Sequence, residues 1–91
     1  APEISRVYKS GTNLKIITNE EAKCVYSLNS CSYEFTSGLA MNYESVAGSI
    51  KKSLHVAVWD KENAYYVKCE DLQGKRVAPD KCSIVVRGTE F

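Results

Sequence analysis

Along most of this chain apolar and polar residues alternate with a period of two, in short runs separated by turn-forming residues. That pattern constrains the fold more than any other feature. In Leu14-Lys15-Ile16-Ile17-Thr18 the apolar face is carried by Leu14 and Ile16, after the turn signal Ser10-Gly11-Thr12-Asn13. Ala22, Cys24 and Tyr26 share the next apolar face, and Tyr33-Glu34-Phe35 predicts a short third strand. Leu54, Val56 and Val58 alternate with His55 and Ala57, which predicts His55 on the solvent side of its strand. Tyr65, Val67 and Cys69 alternate with Tyr66 and Lys68, and Ile84 shares a face with Val86. With an opening strand near Ile4 to Tyr8, about seven strands result. Between 37 and 52 Tyr43, Val46, Ala47 and Ile50 fall at helical spacing, but Gly48 and the serines weaken a helix, so this stretch reads as irregular with one helical turn. The expectation is an all-β antiparallel sandwich forming a single domain over 1–91.

Composition agrees, since Val, Ile, Thr and the aromatics account for 27 of the 91 residues. Twelve basic and eleven acidic residues leave a formal charge of +1, which offers no electrostatic footprint for nucleic acid or an anionic membrane. No apolar run approaches a membrane span, so membrane insertion is not expected. The Ala1-Pro2 opening, with no basic stretch leading into an apolar one, suits a mature or trimmed product. So small a chain builds only one small core, which makes covalent help valuable. Its four cysteines, Cys24, Cys31, Cys69 and Cys82, point to an oxidising compartment. None forms the Cys-x-x-Cys of a zinc or redox site, and the spacing leaves all three disulfide pairings open.

Catalytic signals are thin. His55 is the one histidine, and no nucleophile elbow accompanies it, so triad chemistry is rejected and the chain is expected not to be an enzyme. Glu20-Glu21 and Glu70-Asp71 read as a solvated loop and a turn-capping Asp71. Asp80 leaves calcium near Asp71 as a secondary expectation, with no other cofactor. Asn29-Ser30-Cys31 is the cysteine form of a glycosylation sequon and is void if Cys31 is oxidised. Tyr8, Tyr33, Tyr43 and Tyr66 are the candidates for an exposed recognition surface, because tyrosine anchors interfaces.

The segments Leu14-Lys15-Ile16-Ile17-Thr18-Asn19-Glu20, Ala22-Lys23-Cys24-Val25-Tyr26-Ser27 and Ala64-Tyr65-Tyr66-Val67-Lys68-Cys69-Glu70-Asp71-Leu72-Gln73-Gly74-Lys75 resemble fibronectin type III-like, immunoglobulin-like domains of secreted microbial surface proteins. The resemblance covers residues 14 to 75 and extends towards Val86. Lys75 stands where that pattern has Asn, and Cys31 and Cys82 have no counterpart in it. It implies an immunoglobulin-like sandwich, extracellular or cell-surface placement, and a binding, spacer or fibre-building role without catalytic residues. It also implies a core disulfide between Cys24 and Cys69. Tyr65 would open the penultimate strand and hydrogen-bond back across the preceding corner, with Trp59 as the large apolar residue six positions earlier. Cys31 and Cys82 then remain, either bonded because the loop after Leu28 folds over the sheet, or facing other chains.

Two functions follow as expectations. The first is a structural or interaction protein, a subunit of a surface fibre or pilus-like filament whose partner is a protein, including copies of itself. In that scheme the opening strand, with Ile4, Val7 and Tyr8, adds to a neighbour's sheet, Cys31 and Cys82 lock subunits together, and Tyr66 contributes to the interface; the alternative, favoured on general grounds, is an ordinary first strand that completes its own domain. The second is a small secreted inhibitor whose loops at Glu20-Glu21, 38–43 or 72–75 enter an enzyme's cleft.

Overall fold

A computed structural model describes residues 1–88 as an all-β, antiparallel sandwich of two four-stranded sheets. The strands are β1 (Ile4–Ser10), β2 (Asn13–Thr18), β3 (Ala22–Ser27), β4 (Leu39–Ala40), β5 (Asn42–Val46), β6 (Ser49–Val58), β7 (Ala64–Asp71) and β8 (Ile84–Arg87). One sheet has the order β1-β2-β6-β5 and the other β4-β3-β7-β8. Eight strands form where about seven were expected. The extra ones come from the stretch read as irregular, which is instead β4 and the β5–β6 hairpin. Its turn is Ala47-Gly48, both with positive φ (52° and 83°), the two-residue geometry that matches strand twist. Tyr33-Glu34-Phe35 is not a strand: Phe35–Ser37 forms one 3₁₀ turn in a loop folded over the second sheet.

Between the sheets lie Leu14, Ile16, Cys24, Met41, Ala57, Tyr65, Val67, Cys69 and Val86, all buried, with Ile4, Val7, Tyr26, Trp59 and Ile84 packed against them. Cross-strand neighbours share a face, and Leu14 pairs with Ala57 and Ile16 with His55. His55 is therefore on the core side, 1% exposed, contrary to the alternation reading. The aliphatic residues Leu54 and Val56 take the outer face, because Ala57 and His55 face Leu14 and Ile16 across the ladder.

Cys24 and Cys69 sit directly opposite each other on β3 and β7 and are disulfide-bonded. Cys31 bonds Cys82 within the same chain, and no cysteine is free, so neither is left to lock one subunit to the next. That second bridge joins the β3–β4 loop to the segment before β8, over the outer face of the second sheet. There Val25 and Phe35 are buried, and a Cβ on Gly38 would lie 2.7 Å from Val25 Cγ2. Lys68 is also buried. Its ammonium donates to Tyr33 O at 2.6 Å and to Pro79 O, and stands 4.4 Å over the Tyr33 ring, tying both loops to β7.

Tyr65 opens β7 and closes the corner before it: its hydroxyl donates to Val58 O and accepts from Asp60 N, both at 2.8 Å. Trp59 stacks on the same ring, with centroids 5.2 Å apart. Tyr65→Phe removes both bonds but keeps the packing, so it is expected to cost about 1–3 kcal/mol. Urea unfolding of the two proteins measures this, and identical midpoints would deny the corner any part in stability.

Candidate functional site

The exposed large apolar side chains gather at the two ends of the sandwich. β2 and β6 run antiparallel with Asn13 opposite Val58 and Ile17 opposite Leu54; β3 and β7 do so with Ala22 opposite Asp71 and Ser27 opposite Tyr66. The β2–β3 turn, the end of β7 and the β5–β6 hairpin therefore share one end. The end of β3, the end of β6 and the start of β7 share the other. Of the exposed large apolar residues among those described, Val46, Ile50 and Leu72 belong to the first end, and Leu28, Leu39 and Val58 to the second.

At the first end the β5–β6 hairpin projects beyond the sandwich. Tyr43 pairs with His55 and Glu44 with Lys51, so β5 advances by one residue while β6 advances by four. Past this irregularity, residues 45–52 are all exposed, and the ladder is made only within the hairpin, by Glu44 with Lys51, Ser45 with Ile50 and Val46 with Ser49. The hairpin's root is held firmly. Lys15 and Glu44 form an ion pair across it, in which the Glu44 carboxylate holds the Lys15 ammonium above its ordinary pKa. Tyr43 donates its hydroxyl to Ala22 O of the facing sheet at 2.8 Å.

His55 lies at the same root. Thr18 Oγ1 donates to Glu20 O at 2.6 Å, so it accepts from His55 Nε2 at 3.1 Å; this network assigns the proton to Nε2. Nδ1 is buried without a hydrogen-bond partner, and burial lowers the pKa to about 4. Beside the root, Leu72 rides a turn fixed by Asp71, whose Oδ1 accepts from the N–H groups of Gln73 and Lys75. With Glu20, Glu21 and Gln73 it lines a shallow depression.

The second end is concave. Tyr26, Ser27, Leu28, Asn29, Tyr33, Ser37 and Leu39 line a groove of about 330 Å³. Its wall is rigid because Tyr33, in the stapled loop, donates its hydroxyl to Tyr66 O at 2.6 Å. Burial pushes that phenol up to about 12, so it stays a donor at any physiological pH. Asp60 and Glu62 are exposed in the β6–β7 turn at this end, with Lys61 between them.

Ile4 and Val7 pack on the core, and β1 is hydrogen-bonded along β2 from Ile4 opposite Thr18 to Ser10 opposite Asn13. The opening strand thus completes its own sheet. Tyr8 is half-buried on the outer face beneath the Arg6 guanidinium, and Tyr66 is half-buried on the outer face of the second sheet. Asp71 serves its turn. Among the described residues no cluster of three His, Cys, Asp or Glu side chains is placed to hold a metal ion, and no helix is long and apolar enough to cross a membrane. Sequence reasoning missed the hairpin, the buried Lys68 and the polar grouping of exposed aliphatics.

No family model, curated protein or solved structure matches this chain.

Proposed function

We propose that the protein is a non-enzymatic, extracellular structural module, an immunoglobulin-like sandwich that associates end to end in a surface fibre. The observation that carries this reading is the placement of exposed Val46, Ile50 and Leu72 at one end and Leu28, Leu39 and Val58 at the other. Exposed aliphatic residues scattered singly need no explanation, but grouped ones mark contact surfaces. Grouping at opposite ends favours a head-to-tail contact, which does not close and so gives filaments. The two disulfides fit an oxidising compartment outside the cell.

Sedimentation velocity over a wide concentration range, with electron microscopy, tests the reading. The wild type is expected to form elongated, concentration-dependent species. The double variant Val58→Glu/Leu72→Glu is expected to weaken association at least tenfold while unfolding within about 0.5 kcal/mol of the parent, as surface substitutions do. A wild type that stays monomeric at millimolar concentration removes this function. A second reading, a small inhibitor of an enzyme, is favoured by Leu72 alone: it is 52% exposed on a turn already rigid before binding, the preorganisation a cleft-filling loop needs.

A further inference from the structure

Resting on the end-to-end reading, we infer that the contact is a wedge in a groove: the β5–β6 hairpin of one copy enters the groove lined by Tyr26, Leu28, Tyr33 and Leu39 on the next. The hairpin has the form of a wedge. Ile50 pairs with Ser45 and Val46 with Ser49, so the two aliphatic side chains leave opposite faces of the two-stranded ribbon. They are 63% and 44% exposed. An isolated hairpin in water is marginal at best, yet this one is anchored at its root by Lys15–Glu44 and by Tyr43 on the facing sheet. The anchoring makes its approach direction definite.

The groove offers what such a wedge lacks. Leu28 and Leu39, 41% and 54% exposed, stand on its walls, and the pinned Tyr33 keeps it open. A wedge apolar on both faces is desolvated best by two walls, whereas a flat surface would cover only Val46 or Ile50. Lys51 and Lys52 flank the wedge, and the β6–β7 turn at the groove end carries the exposed carboxylates Asp60 and Glu62 on either side of Lys61. Because wedge and groove are on opposite ends of one chain, a copy cannot satisfy both with a single symmetric partner. The occupant is therefore the next copy in a row.

The test uses two exposed substitutions that leave the core and both disulfides untouched. Ile50→Glu spoils the wedge and keeps the groove; Leu39→Glu spoils the groove and keeps the wedge. Each variant alone is expected to be monomeric by sedimentation, with the circular dichroism spectrum of the wild type. An equimolar mixture is expected to give discrete dimers and nothing longer, since one intact wedge meets one intact groove. If the wild type assembles and either variant assembles equally well alone, the wedge-and-groove contact is overturned while end-to-end association stands. Two monomeric variants whose mixture stays monomeric also overturn it. If the wild type itself never assembles, the proposed function fails first.

Discussion

Replacing Cys24 and Cys69 together by alanine is expected to lower the unfolding free energy by about 3–4 kcal/mol, the largest effect of any pair of substitutions considered. The bridge spans 45 residues, a loop worth about 4 kcal/mol in the chain-entropy model. Cys31–Cys82 already constrains the same stretch, however. With that bridge intact, Cys24 and Cys69 are linked through the seven steps to Cys31 and the thirteen from Cys69 to Cys82, and the shorter loop reduces the figure to about 3 kcal/mol. Against the 5–15 kcal/mol that holds an ordinary domain together, this is a large share. Denaturant unfolding of the variant against the parent measures it, and an unchanged midpoint would contradict it.

The second large effect is a loss of stability on mild acidification. His55 has its folded-state pKa lowered to about 4 from the ordinary 6.5, and burial is the cause. As pH falls, the unfolded chain takes up the proton first, because in the fold the added proton at Nδ1 would find no acceptor. The contribution of His55 is complete above about pH 6.5, declines through the window down to about 4, and changes no further below it. At about 1.4 kcal/mol per pH unit the total is about 3 kcal/mol. Carboxylates also titrate in this range, so the comparison is with His55→Gln, which keeps an N–H for Thr18 and cannot take up a proton. Thermal melts from pH 4 to 7.5 should show a steeper slope for the wild type; equal slopes would refute the assignment.

The alternation of Leu14 with Ile16, of Ala22 with Cys24, and of Tyr65 with Val67 and Cys69 was legible because each of these strands buries one face and the period of two shows it. β6 misled because it is apolar on both faces. Leu54 and Val56 looked like the core side, yet the register with β2 turns His55 and Ala57 inward. The hairpin was hidden for another reason: Tyr43, Val46 and Ile50 fall at helical spacing by coincidence, while Ala47-Gly48 lacks the Asn-Gly or Asp-Gly signal of a tight turn. Tyr33-Glu34-Phe35 alternates like a strand, but its aromatics pack over the outside of a sheet rather than within one. The candidate site was legible only in pieces, through Tyr33 and through the loops that hold Leu39 and Leu72. Leu28, Leu39, Val46, Ile50, Val58 and Leu72 are scattered through 45 positions, and only the topology sorts them into two ends.

The positions of the disulfides decide how the domain would yield to mechanical load. β1 starts at the end that carries the hairpin and β8 finishes at the end that carries the groove, so a pull across Ile4 and Arg87 runs from one end of the sandwich to the other, the axis of the proposed fibre. It loads the β1–β2 ladder in shear, with many hydrogen bonds strained together instead of one at a time. If that ladder gives way, tension reaches Cys24, travels to Cys31 and crosses the bridge to Cys82. Residues 32–81, with most of the core and the pinned wall of the groove, lie off the force-bearing path and cannot be drawn out while that bridge is intact. Such a domain would lengthen by its two terminal segments and then stop, a built-in limit on extension.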